Sequence, residues 1–377
     1  MTKKKTQFLK IYFYIIICFN LIILSFISFI NINIDPEKIY PEKIKIYKND
    51  FKLEENIKKL ISSKGKMVYQ EKYWNEREFY NIFSKNAHTA ECIIFGSSAI
   101  VTISANQTPQ VLKKSCKTTL NLGLSGGTIE DYLAFSNNID PKKIRNKKII
   151  MTIHPFTLNF NRDHRWIVNS KNFDVFLEKL RLNKSHKDNN DLKNENLSRL
   201  VKNVTNLEYL KTSIKILLHS NKKKFRIQDK VTEDEIKKNN VIMFDGSRKK
   251  ILDIPKNRDI DLSPSLINYK ILKDRWYDES ILKLILNYKK YYEPQNEIVF
   301  LLTPYHPEVW KLKNEPIVEA MIIVEKKINE FAKNNNINVI GSYNPSNLNC
   351  NKHEFYDAIH ASNKCLKKLE TFSFFNK

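Results

Sequence analysis

Apolar residues are distributed along this chain in three distinct ways. Residues 11–30 run without a single charge and are dense in Ile, Leu and Phe. About 20 such residues are what an α-helix needs to cross a ~30 Å hydrocarbon core. Further on, short apolar runs at 92–95, 119–122, 148–153, 298–303 and 337–340 are each bounded by polar or turn residues. Runs of this length read as strands buried on both faces. Between them the spacing turns helical. A short helix is predicted over 129–137. A longer one starts at Asn314-Glu315-Pro316, an N-cap with an early proline, and carries Ile317, Ala320, Met321, Val324, Ile328 and Phe331 on one stripe. Cys365, Leu366, Leu369 and Phe372 mark a closing helix.

This alternation predicts an α/β protein, a three-layer α/β/α arrangement around a mainly parallel sheet. It stops between 155 and 277, which is predicted as a helical insertion. Within it, 183–196 is polar and reads as a mobile loop. Leu197, Leu200, Val201, Val204, Leu207, Leu210, Ile214 and Leu217 then form one helical stripe. That stripe suits a helix packed on its own domain, a cap over a site, or a docking surface. Residues 31–90 are charged but carry Tyr69, Tyr73, Trp74, Phe79, Tyr80 and Phe83. So many aromatics predict a juxtamembrane segment that packs on the domain at 91–377, not a disordered linker. No repeat with a period of 20–50 residues is evident.

Charge sets the expected orientation. Lys3, Lys4, Lys5 and Lys10 precede the apolar run, so residues 1–10 are predicted to be cytoplasmic and the rest to lie on the periplasmic or extracellular side. The exit of the run, Ser28-Phe29-Ile30-Asn31-Ile32-Asn33, lacks a small-residue cleavage site. An uncleaved signal anchor therefore fits better than a cleaved signal peptide. The net charge of +23 would suit nucleic acid, but the lysines are scattered and no base-reading motif is present. A solvated basic surface, or attraction to anionic lipid or acidic glycan, accounts for it instead. Of the five cysteines, Cys18 falls in the apolar run and Cys92 in a predicted core strand. That leaves one bridge among Cys116, Cys350 and Cys365, or free thiols.

The candidate chemistry sits at predicted strand ends, where parallel sheets place their sites. Ser98 follows Gly96-Ser97 on the turn after the first core strand, where a hydroxyl can act as nucleophile or merely cap the next helix. That helix N-terminus would also offer N–H groups to an oxyanion. Three of the chain's seven glycines fall within 121–128. There Gly126 can present its N–H without an obstructing side chain, or the glycines can serve an ordinary turn. Asp357 and His360, three residues apart on one loop, are spaced for a carboxylate that orients a general base. His154 ends the third predicted strand. No cofactor motif is present, and a metal held by His154 with His164 lacks further ligands.

Assembled, these blocks resemble the SGNH (GDSL-type) hydrolase and acyltransferase superfamily. In particular they look like its membrane-anchored members that modify envelope polymers. The Gly-Asp-Ser block is matched by Gly96-Ser97-Ser98, with Ser97 in place of Asp. The glycine-donor block is matched by Asn121 and Gly126, and Asp-x-x-His by Asp357 and His360. The Gly-x-Asn-Asp block is absent, and His154 stands where its Asn would donate a second oxyanion hydrogen bond. The resemblance covers 91–372 in separated blocks and implies a flavodoxin-like sheet order. It further implies an acyl-Ser98 intermediate, Asp357 and His360 as its acid–base pair, and oxyanion roles for Gly126 and His154. The implied function is an esterase or O-acyl(acetyl)transferase on an envelope polysaccharide. Implied partners are that glycan or an acyl donor, membrane lipid and a multi-pass membrane acyltransferase. The alternatives are a general carbohydrate or lipid esterase, or a catalytically inactive assembly or polymer-binding protein of the same fold.

Overall fold

A computed structural model describes residues 3–34, 53–69, 76–107, 110–159, 165–182, 201–218, 225–238, 240–249, 278–292, 295–312 and 316–371. They fall into two compact units, one with 3–34 and 201–218, the other with 53–69, 76–182 and the described residues from 226 onward.

The first unit is built on helix α1, Lys3–Ile34. Its stretch Ile11–Ile34, 24 residues, is long and apolar enough to cross a membrane. Ile11, Phe13, Phe19, Ile22 and Phe26 all point outward. Toward its end Asn31 is fully buried, and its amide donates to the carbonyls of Asn203, Val204 and Asn206 at 3.0–3.1 Å. The predicted stripe over 197–217 is not one helix. Asn206 accepts the N–H groups of Glu208 and Tyr209, which ends one helical segment and caps the next, Leu207–Leu218. Leu197, Leu200 and the loop at 183–196 lie outside the described residues.

In the second unit all five predicted core strands form: β2 Cys92–Gly96, β3 Thr119–Gly123, β4 Lys148–Thr152, β8 Glu297–Leu302 and β9 Asn338–Gly341. They make a wholly parallel sheet in the order β3-β2-β4-β8-β9. The sheet buries both faces. Ile94, Ile150, Val299 and Leu301 join Ile103, Leu112, Phe355 and Leu366 in one apolar cluster. The alternate residues face the other way, where Phe95 stacks on Tyr132 and Phe300 on Phe331. Tyr132 belongs to the helix Ile129–Ser136 and Phe331 to the helix Pro316–Asn334, both close to their predicted ranges; residues 314 and 315 lie outside the described ones. The closing helix is shorter than its pattern, one turn at Asn363–Leu366 followed by a 3-10 segment, Lys367–Thr371.

Two features differ from expectation. A second, four-stranded sheet exists, in the order β5-β1-β6-β7. It comprises β1 Lys66–Tyr69, β5 Phe225–Gln228, β6 Asn240–Met243 and β7 Arg248–Lys249. The 155–277 insertion is therefore not purely helical. These strands hold two to four residues in Lys- and Asn-rich sequence, too short for a period to register. The pairing of β1 with β6 is long-range, Lys66 standing opposite Met243. Of the segment 31–90, residues 53–69 and 76–90 are described and belong to the second unit, as a helix Leu53–Ser62, strand β1 and a helix Glu76–Phe83 with the 3-10 turn after it. Last, two disulfides form, Cys92–Cys116 and Cys350–Cys365. A buried strand position does not keep Cys92 free, because Cys116 lies directly before the adjacent strand β3, with the two Cα atoms 5.8 Å apart.

Candidate active site

Because every strand of the main sheet runs the same way, every C-terminal end lies on one edge. β2 is flanked by β3 and β4, so Ser98 leaves the edge between the glycine loop after β3 and His154 after β4. The chain turns in opposite directions from β2 to these two neighbours, the arrangement that opens a crevice at strand ends.

The turn that carries Ser98 is tightly packed. A Cβ on Gly96 would stand 2.8 Å from Thr152 Oγ1. Ser97 is extended (φ −86°, ψ −170°) and accepts the Ala99 N–H at 3.3 Å. Ser98, Ala99 and Ile100 then form a single 3-10 turn. The full helix expected here is absent, so no helix dipole of useful length faces the site. Ala99 and Ile100 are buried, while Ser98 remains half-buried. Asn121 braces the turn from β3, donating to the carbonyls of Ile100 (2.7 Å) and Ile103 (2.8 Å) and accepting the Gly123 N–H (2.7 Å).

Asp357 and His360 sit on a tight excursion of the chain. Phe355 bridges Ala361, and the Ser362 N–H reaches the Glu354 carbonyl at 2.8 Å. His306, after β8, donates its N–H to Ala358 at 2.9 Å, and the Cys350–Cys365 bridge closes the base. The two side chains then align with Ser98. Ser98 Oγ is 2.8 Å from His360 Nε2, and His360 Nδ1 is 2.6 Å from Asp357 Oδ2. The other carboxylate oxygen accepts the N–H groups of Ile359 (2.9 Å) and His360 (2.8 Å). Burial acts to raise the Asp357 pKa. The hydrogen bond and charge of His360, with the two backbone donors, outweigh it and hold the carboxyl below its usual range. A charged Asp357 can only accept, so Nδ1 carries the proton. In the neutral ring Nε2 is then the acceptor for the Ser98 hydroxyl. That is the ground state a general base requires.

The glycine loop lies against the same turn. The Leu124 N–H donates to the Gly96 carbonyl at 3.1 Å, and a Cβ on Gly127 would stand 2.5 Å from that oxygen. Gly126 is left-handed (φ +59°) and half-buried. Within the described residues neither its N–H nor that of Ser98 has a hydrogen-bond acceptor.

His154 also reaches the strand ends, but its ring faces inward. It is 2 % exposed, stacks on Phe156 and pairs through Nε2 with Ser97 Oγ at 2.8 Å. Burial first, and the nearby His360 second, push its pKa down to about 3. The ring is therefore neutral, and its Nε2 is engaged with Ser97. Among the described residues no group of three His, Cys, Asp or Glu could hold a metal, and His164 lies outside them.

Sequence reading missed Glu76, Arg77, Asp131 and Arg248, which surround the glycine loop. Only Asp131 had a local signal, three residues after the helix-capping Thr128. No protein-family model matches the chain, and no curated protein matches it.

Proposed function

We propose that this chain is an SGNH-type serine esterase or O-acyltransferase that forms an acyl-Ser98 intermediate on an ester of an envelope polysaccharide. The observation that carries this reading is the continuous chain Ser98 Oγ, His360 Nε2, His360 Nδ1, Asp357. Ser98 Oγ attacks the acyl carbonyl as its proton passes to His360 Nε2. The oxyanion is received by the Ser98 and Gly126 N–H groups. The leaving alcohol takes the proton from His360. A sugar hydroxyl or water then bonds to the acyl carbon as its proton passes to His360, and Ser98 Oγ departs from that carbon and takes the proton back from His360. Asp357 stays ionised and stabilises the imidazolium in both halves. A three-layer α/β/α fold of the SGNH kind agrees with the parallel order of the sheet and the burial of both its faces.

The domain is assigned to the periplasmic or extracellular side, with α1 as the anchor and residues 1–10 cytoplasmic. The basic flank of the apolar run supports this, and so do two disulfides, which persist in oxidising compartments. A second reading, a catalytically inactive scaffold, is favoured by one observation. His154 occupies the place of the family's oxyanion Asn, and its Nε2 is tied to Ser97.

A fluorophosphonate probe separates the two. Wild type should be labelled, Ser98→Ala should not, and Ser97→Ala, if folded, should keep its label. A folded wild type that resists two chemically different ester probes would establish the inactive scaffold instead.

A further inference from the structure

The loop 124–128 contains five consecutive N–H groups, and four of them are occupied. Leu124 donates to Gly96 O, Gly127 to Leu124 O at 3.1 Å, Ser125 to Glu76 Oε2 at 2.6 Å, and Thr128 to Asp131 Oδ2 at 3.2 Å. Only the Gly126 N–H is left over within the described residues. The Gly126 carbonyl is held as well, accepting from Arg77 Nη2 at 3.3 Å.

Two of these five restraints come from one short helix, Glu76–Phe83. Glu76 takes both the N–H and the hydroxyl of Ser125. Arg77 forms a two-pronged pair with Asp131, Nε to Oδ1 and Nη2 to Oδ2, both at 2.9 Å. Arg77 and Asp131 are 6 % and 0 % exposed. A carboxylate beside a developing oxyanion would oppose it. Arg248 answers that charge, with Nη1 2.7 Å from Glu76 Oε1. Each of the two carboxylates that hold the loop, Glu76 and Asp131, is thus paired with an arginine.

We propose that Glu76 and Arg77 are positioning residues that fix the loop 124–128 so that, of its five N–H groups, that of Gly126 faces the reacting oxygen beside the Ser98 N–H, with Arg248 neutralising Glu76. Neither residue touches substrate. The loop-holding part stands on geometry; its effect on rate rests on the esterase reading above.

The test uses the full chain with Arg77→Lys, which keeps a charge opposite Asp131 but cannot span Asp131 and Gly126 together, and Glu76→Gln, which loses an acceptor for Ser125. Should either fail to fold, Ser125→Ala removes one hydroxyl and leaves both ion pairs intact. Amide exchange of the segment 121–132 should speed up in each variant. On an aryl acetate, kcat should fall roughly 10- to 100-fold in the first two and a few-fold in Ser125→Ala, less than outright loss of an oxyanion donor. KM should stay within about twofold, and inhibition by a boronic acid, which forms a tetrahedral adduct on serine, should weaken by the same factor as kcat/KM. Unchanged exchange in folded variants would overturn the proposal, and so would faster exchange with unaltered kcat in an active protein. If the wild type itself turns over no ester, the esterase reading fails, while the exchange arm still decides whether Glu76 and Arg77 hold the loop.

Discussion

Ser98 Oγ and His360 Nε2 stand 2.8 Å apart although 262 positions separate them in the chain. Ser98 is carried by a turn at the end of β2. His360 comes from an excursion after β9, which lies at the far edge of the same sheet. The meeting depends on the chain returning from that edge, under restraint by His306 and the Cys350–Cys365 bridge.

The Asp357 carboxylate selects which ring nitrogen of His360 carries the proton. Asp357→Asn would leave the side chain's shape but remove that selection. The rate of fluorophosphonate labelling at Ser98 should fall by on the order of 10²–10⁴-fold, and His360→Ala should fall at least as far. Asp357 is 46 % exposed in its side chain, so the melting temperature should move little. A rate within threefold of wild type in folded Asp357→Asn would remove Asp357 from the mechanism.

His154 gives a dependence of stability on pH. Its pKa is about 3 in the folded chain against an ordinary 6.5. Below pH 6.5 the unfolded chain takes up a proton that the folded chain refuses. The favourable contribution is complete above pH 6.5 and is lost as pH falls toward 3, by at most about 1.4 kcal/mol per pH unit. Denaturant melts at pH 7, 6, 5 and 4 should show this slope, and His154→Asn should be flatter over the same range. Parallel slopes in the two proteins would mean that the ring is not buried neutral.

Ser97 is the hydrogen-bond partner of that ring. Ser97→Ala would leave His154 Nε2 buried without it, costing about 1–3 kcal/mol. The expected outcome is a lower melting temperature with Ser98 labelling retained below it. Loss of labelling at full stability would give Ser97 a direct chemical role.

Each disulfide brackets one half of the site. Cys92–Cys116 encloses the Ser98 turn and Cys350–Cys365 encloses Asp357 and His360. Replacing Cys350 and Cys365 by serine opens a loop with a sequence separation of 15, worth about 3 kcal/mol in the chain-entropy account. Thermal unfolding should drop accordingly, and labelling should slow because the base is less well held. Thiol titration of the unfolded, unreduced protein should find one free thiol, that of Cys18; three or more would contradict the pairing.

The lysines ahead of the apolar run predict the orientation of α1 across the membrane. Protease added to cells stripped of their wall should digest the chain beyond residue 34 and spare the short N-terminus. Complete protection, with digestion only after lysis, would reverse the assignment.

Local signals made much of this protein legible. The five core strands could be read because each is a short apolar run buried on both faces, a pattern that needs no knowledge of its partners. Ser98, Asp357 and His360, which the fold brings together, could be singled out because each lies at a strand end or turn with its own spacing. The membrane-spanning length of α1 is likewise a property of consecutive residues. Tertiary structure alone decided the rest. In the second sheet the four-residue strands β1 and β6 pair across more than 170 positions, and Cys92 found Cys116 because β2 and β3 are neighbours. His154 turned to Ser97 because a neutral ring can be buried where a partner for Nε2 waits. Glu76, Arg77 and Arg248 carry no motif, since an ion pair requires only opposite charges brought to within about 3 Å. Sequence by itself determined which segments become strands, helices and turns, because those depend on neighbours along the chain. Which side chains meet at the site depended on folding, because hydrogen bonds and ion pairs act only at contact, between residues the chain brings together from far apart.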